Sequence, residues 1–401
     1  MSTALDNARK LAHLQIVPGI VTGSNSAAAA NAATIQAAID SLATAGSNSA
    51  ITLPGGVIHS NKIIRRGGVG ILGVGETATT LIAANGLNDN LVVDDRWENN
   101  TAFSQDPFVM ADLTLDGNRT NNTSGSCYVG QTYWSTFSRV RFQNAASRGC
   151  QISAQTKNGT DIGNSVADNR WENCRFFNNA QGGWFGKAST TGAILADQIL
   201  TGCIFDGNGG ASHAQLISER FAGSVLNECR FYSSFAGGDA DLTGFAIAQI
   251  VGCHFELAAR SSPNSASIIA SLRIRTHGGP VYAISAIVGN LFWMTSTNKS
   301  ATDVYCGIYF DQASTALALA GNTFQADAAI GTKRAVHGAT AMGGTTAGNT
   351  FTGYTAGTEY GTAWNSWTRA TVGAAATDAA TTQTLANNLR TALINAGIVN
   401  T

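Results

Sequence analysis

The sequence predicts an all-β chain wound as a single-stranded β-solenoid, on three observations. A tetrapeptide recurs as NCRF at Asn173, GCIF at Gly202, ECRF at Glu228 and GCHF at Gly252, then as GNLF at Gly289 and GNTF at Gly321 and Gly348. The phenylalanines Phe142, Phe176, Phe205, Phe231, Phe255, Phe292, Phe324 and Phe351 follow one another at intervals of 24 to 37 residues, the span of repeat architectures. The unequal intervals are the second observation: helical repeats hold their length closely, whereas a strand solenoid absorbs loops of any size at its corners. Composition is the third. With 45 glycines and only 5 prolines, the chain suits many short strands and tight turns, where Gly and Asn adopt positive φ at low cost.

Charged residues make up 12% of the chain and the formal net charge is −1. Bulk electrostatic attraction to nucleic acid or to an anionic membrane is therefore not expected. No apolar run is long enough to span a bilayer. The opening residues lack the basic end and apolar core of a secretory signal, and seven dispersed cysteines do not form a disulfide framework. The expectation is a soluble protein with free thiols, made in a reducing compartment.

Residues 1–30 read as an N-terminal attachment segment, with ALDNARKLAHL as a small amphipathic peptide. Next, NAATIQAAIDSLATAG places Ile35, Ile39 and Leu42 on one stripe of a short helix. ITLPGGVI, VGILGVG and TTLIAANG then read as strands divided by glycine turns. This opening, "ATIQAAID… ITLPGG… ILGVGETATTLIA" over residues 31–85, resembles pectate-lyase-like right-handed parallel β-helix proteins. The resemblance implies that the helix caps the first coil and that the winding continues over residues 31–360. It supplies no catalytic residue, because members of the family place their chemistry on different coils.

Within each repeat the cysteine and phenylalanine lie two residues apart and face the same way. Stacked parallel, Cys174, Cys203, Cys229 and Cys253 form an interior ladder, which Asn290, Asn322 and Asn349 continue by hydrogen bonding. Leu115 takes the phenylalanine role one coil earlier. The tail, residues 361–401, carries no such repeat. Asp378 would N-cap a helix with Leu385, Leu389, Leu393 and Ala396 on one face and Gly397 at its end. Such a tail resembles the C-terminal segments of bacteriophage tailspikes and related virion fibres, which implies a homotrimer. Folding back over the last coil is the alternative, and either arrangement covers strand edges.

No nucleotide, zinc or nucleophile-elbow motif stands in the chain, so no cofactor or metal is expected. Gly68-Val69-Gly70-Ile71-Leu72-Gly73 fits a dinucleotide fingerprint only in spelling, since no βαβ unit surrounds it. The Asp239-x-Asp241 pair in GGDAD reads as a solvated loop rather than a cation site. The outward face of the phenylalanine strands carries more chemistry. The column before Phe holds Arg141, Arg175, Ile204, Arg230, His254 and Leu291; the column after it holds Gln143, Phe177, Asp206, Tyr232, Glu256 and Trp293. Sugar rings need apolar platforms for their C–H faces and charged or amide groups for their hydroxyls, and this ridge offers both. Arg175, Phe177, Arg230, Tyr232, His254 and Trp293 are the candidate substrate-binding residues. Asp206 and Glu256 are the candidate acid–base pair, two coils or about 9.6 Å apart. Leaning side chains bring such carboxyls into the roughly 6.5–9.5 Å range of inverting glycosidases. A lyase would instead use an arginine such as Arg230 as base, beside a group that neutralises a carboxylate. Asp197, Glu219, Asp239 and Asp241 lie in the same middle coils, and the ridge could equally face a neighbouring protomer.

Three functions fit. The first is a tailspike-like virion protein that binds and degrades host-surface polysaccharide and docks to other tail proteins through residues 1–30. The second is a non-catalytic virion fibre or adhesin. The third is a free polysaccharide lyase, hydrolase or epimerase.

Overall fold

Each phenylalanine of the repeat stands directly opposite the next. The register runs Leu81–Leu115–Phe142–Phe176–Phe205–Phe231–Phe255–Phe292–Phe324–Phe351, parallel throughout. The computed structural model describes residues 13–354 apart from 46–48, 102–105, 163–165, 189–194, 211, 236, 259–267, 276–284, 296–303, 312–316, 328–329, 331 and 339–343. Residues 1–12 of the expected attachment segment, the whole 361–401 segment and its predicted helix lie outside these.

A typical coil contributes three short strands, and like strands stack into three parallel sheets. One coil reads Ile199–Thr201, Ile204–Asp206 and Leu216–Ser218; the next reads Val225–Asn227, Arg230–Tyr232 and Ala240–Thr243. We call these the first, second and third sheets. The first two merge where the long strands Val109–Asp116 and Thr136–Gln143 run through both. The third is a separate sheet of ten strands among the described residues. The winding is a right-handed parallel β-helix.

The helix Ala28–Ala45 buries Ile35, Ile39 and Leu42 against the first strands, as the stripe predicted. It covers the interior of the opening coil, where the strand His13–Ile16 already pairs with Ser49–Thr52. The glycines of GVGILG belong to this stacking. A side chain on Gly73 would run into the backbone oxygen of Asp112 and the side chains of Leu113 and Thr79.

The repeated tetrapeptide has a three-part physical cause. Its first residue turns the corner between the first and second sheets with positive φ: Asp112, Arg139, Asn173, Gly202, Glu228, Gly252, Gly289, Gly321 and Gly348 all do so. Glycine is the cheap solution there. Two of the three charged exceptions, Asp112 and Arg139 in adjacent coils, hold each other through paired contacts of 2.6 and 2.7 Å.

The second residue points inward and serves a backbone carbonyl of the coil before. The thiols of Cys203, Cys229 and Cys253 donate to the oxygens of Trp171, Leu200 and Leu226 at 3.4–3.6 Å. Asn290, Asn322 and Asn349 donate to the equivalent oxygens of Ile250, Ile287 and Leu319 at 2.9–3.0 Å. Asparagine adds an acceptor, so Asn290 N–H donates to Asn322 Oδ1 and Asn322 N–H to Asn349 Oδ1. All seven cysteines are buried free thiols. Burial pushes the Cys127 and Cys150 thiols well above their ordinary range, which keeps them unreactive.

The fourth residue is the stacked ring. From Phe142 to Phe351 successive centroids lie 4.6–5.4 Å apart and no pair tilts by more than 11°.

The asparagine ladder gives a stability prediction. Asn322 is fully buried. Asn322→Ala strands the Asn290 N–H and the Ile287 carbonyl, at about 1–3 kcal/mol for each unmet group. Urea unfolding should show a loss of about 2–4 kcal/mol; an unchanged midpoint would contradict the ladder.

Candidate functional site

Strand alternation puts the phenylalanines inside and therefore their neighbours outside. The register carries this through the second sheet. Gln143, Phe177, Asp206 and Tyr232 are in line. Pairing of Phe231 with Phe255 sets Glu256 behind Tyr232, and Glu256 then pairs with Trp293. The column on the other side of the rings runs Arg141, Arg175, Ile204, Arg230, His254 and Leu291. All six predicted substrate-binding residues and both predicted carboxylates thus share one outward ridge. Phe177 is 42% exposed, Arg175 and Arg230 are exposed, and Asp206, Tyr232, His254, Glu256 and Trp293 are half-buried.

Local contacts divide the ridge. At its early end Glu76, projecting from the turn after Gly75, draws in Arg141 at 3.2 Å and Arg175 at 3.5 Å. At its late end the Trp293 indole donates to Asp327 at 3.3 Å. Between them, Tyr232 and His254 meet edge to face with centroids 5.4 Å apart. His254 is held below the usual histidine range, first by burial and then by the charge of Arg230, its partner in register. Both effects favour the neutral imidazole. Asp206 and Glu256 flank this middle section, separated by the Tyr232 rung.

Asp239 and Asp241 do not form the expected solvated loop. Asp239 precedes the strand Ala240–Thr243 and Asp241 lies within it, so the regular alternation that turns Asp241 outward does not extend to Asp239. Asp239 is buried beside Gln215, whose Nε2 donates to it at 3.2 Å, whereas Asp241 faces out and pairs with Arg275 at 2.5 Å.

A second mixed surface lies on the third sheet and has no counterpart in the predicted residues apart from Asp241 and Glu219. Its outward column is Phe185, Ile217, Asp241, Arg273, Tyr309 and His337. The Arg148 guanidinium covers Phe185 at 3.4 Å, and Arg273 lies over Tyr309 at 5.6 Å. Lys187 pairs with Glu219 at 2.9 Å. The available signal was LRIR, in which Leu272 and Ile274 are buried while Arg273 and Arg275 face out. Third-sheet strands lack a repeated spelling and sit at variable distances from the tetrapeptide, so the column cannot be aligned by eye.

No protein-family model matches the chain, and no curated protein matches it in sequence. Among solved structures, the chain is similar to PfbA, a surface adhesin of Streptococcus pneumoniae, at 13% identity and TM-score 0.51, covering 87% of this chain and 92% of that one. It is also similar to the A-module of the Azotobacter vinelandii mannuronan C-5 epimerase AlgE4, at 16% identity and TM-score 0.48, with 86% and 95% covered. The Acinetobacter phage vb_AbaP_AS12 gp42 tailspike follows at 12% identity and TM-score 0.48, with 86% and 62% covered. At these identities the likeness is one of fold. Three parallel sheets, a helix over the first coil and an interior stack of aligned rings give this chain the right-handed parallel β-helix fold, the fold of pectate-lyase-like proteins.

Proposed function

We propose that the chain is a tailspike-like virion protein that binds host-surface polysaccharide along the second-sheet ridge and cleaves it between Asp206 and Glu256. The observation that carries this is the outward row of Phe177, Asp206, Tyr232, Glu256 and Trp293, set by the register of the phenylalanines beside them. It places two carboxylates on either side of an aromatic platform, with an imidazole alongside. One carboxyl protonates the glycosidic oxygen while the other activates a water on the opposite face of the sugar, which a separation of two rungs leaves room for. Arg230 and Tyr232 orient the ring through its hydroxyls. Incubation with a panel of bacterial surface polysaccharides tests the proposal. Shortened chains carrying added water support hydrolysis, whereas products absorbing in the ultraviolet indicate elimination. Retention without shortening would leave the non-catalytic adhesin, which the commitment of Arg175 to Glu76 and of Trp293 to Asp327 favours.

In the same proposal residues 361–401 hold three chains together and residues 1–30 dock the spike to other tail proteins. Light scattering of the full chain should give three times the 41.4 kDa chain mass; a monomer mass would remove the trimer.

A further inference from the structure

A second row of side chains lies at the other edge of the first sheet, where each coil enters from the third sheet. Trp134, Asp168, Asp197, Gly223 and Ile247 occupy the same corner in five successive coils, and all five have positive φ. They span about 19 Å along the axis. Asp and Gly take this conformation readily, but for bulky Trp and β-branched Ile it is an outlier. Trp134 is 56% exposed and Ile247 66% exposed. The corner thus holds two large apolar side chains out in solvent, with two carboxylates between them.

The Trp134 end has the shape of a binding site. The indole Nε1–H donates to Asp168 Oδ2 at 3.1 Å, and the Tyr133 ring packs against it at 4.5 Å, so the exposed indole is fixed rather than free to rotate. Beside it opens a hollow of about 200 Å³ lined by Trp134, Thr136, Asp168, Arg170 and Ile199. Thr136, Arg170 and Ile199 are partners in register on three adjacent coils, and Arg170 is exposed. This volume falls below the roughly 300–1,000 Å³ of pockets for drug-sized ligands, so it suits one ring rather than an oligomer. A flat aromatic wall, a carboxylate and a guanidinium meet the two demands of a sugar: a surface for its C–H face, and an acceptor and donor for its hydroxyls. Charge narrows the class. Asp197 stacks next to Asp168, and its carboxyl is pushed above the usual range by burial and by that neighbouring charge. Two carboxylates against one arginine disfavour a uronate.

We propose that this corner pocket is a saccharide subsite for a single neutral pyranose, with Trp134 as its platform and Asp168 and Arg170 as its hydroxyl-binding groups. It lies across the width of the first sheet from the ridge. The choice of sugar as ligand rests on the polysaccharide function proposed above.

The test is saturation-transfer NMR on the full chain with the methyl glycosides of glucose, galactose, mannose and N-acetylglucosamine, and with methyl glucuronoside as the anionic probe. At least one neutral glycoside should receive saturation and the glucuronoside none. The signal should fall at least fivefold in both Trp134→Ala and Arg170→Gln and stay unchanged in Asp206→Asn. If Trp134→Ala fails to fold, Arg170→Gln decides alone, since it alters only an exposed side chain. No transfer to any neutral glycoside, equal transfer to the glucuronoside, or a signal that survives Arg170→Gln would overturn the subsite. Polymer cleavage in the absence of glycoside binding would sink the pocket and leave the ridge standing. Glycoside binding together with full cleavage by Asp206→Asn would do the reverse.

Discussion

Asp206→Asn and Glu256→Gln should each lower polysaccharide cleavage by about 10²–10⁴-fold, the usual contribution of a positioned general acid or base. Both changes keep the shape of the side chain and remove its charge and its ability to exchange a proton. Binding of the polymer should therefore persist, because Phe177, Arg230, Tyr232 and Trp293 remain in place along the ridge. Sedimentation with the insoluble polymer separates the two effects. Since the carboxylates stand two rungs apart, NMR of the first products should show an inverted anomeric centre. Retained configuration would point to a closer pair of carboxyls, and full activity in both variants removes Asp206 and Glu256 altogether.

Phe205→Ala should destabilise the β-helix by about 3–5 kcal/mol, the usual cost of losing a buried aromatic ring. Phe205 is fully buried and stacks on Phe176 and Phe231 at 4.6 Å on either side. Its removal opens a cavity between two rings that the backbone ladders hold one rung spacing apart, so they cannot close the gap. Phe351, only partly buried and 5.4 Å from Phe324, should cost clearly less when replaced by alanine. In a solenoid each coil touches only its neighbours, so amide exchange should quicken first in the coils around residue 205. Equal thermal shifts for the two variants, with exchange unchanged in those coils, would contradict a column that bears load along its length.

The same column explains how much the sequence disclosed. Its repeat is legible because three constraints act on four residues: a left-handed corner, a group that serves a buried carbonyl, and a ring. Each restricts the residue types strongly, so Gly, Cys or Asn, and Phe recur in spelling. Arg139-Val140-Arg141-Phe142 keeps the corner and the ring, yet it is hard to see because Val140 offers no donor in the second place and an ion pair to Asp112 replaces glycine in the first. The ridge followed from parity alone once the rings were placed inside. The third sheet stayed hidden: loops of variable length precede its strands, and its inward residues are a mixture such as Leu216, Ala240 and Leu272. Asp239 and Asp241 were read as a loop because glycines precede them, whereas the strand begins between them. The corner pocket was illegible for another reason. Trp134 and Ile247 sit in a conformation their own preferences oppose, so only the fold reveals that they share a column with Asp168 and Asp197.

The most direct test of the ridge is a crystal structure of the Asp206→Asn variant with oligosaccharides cut by mild acid from the polysaccharide that the protein retains. Sugar density should run over the second sheet, with one ring against Tyr232 and a glycosidic oxygen between residues 206 and 256. Density instead along Asp241, Arg273, Tyr309 and His337 of the third sheet, with the second-sheet ridge bare, would contradict the assignment.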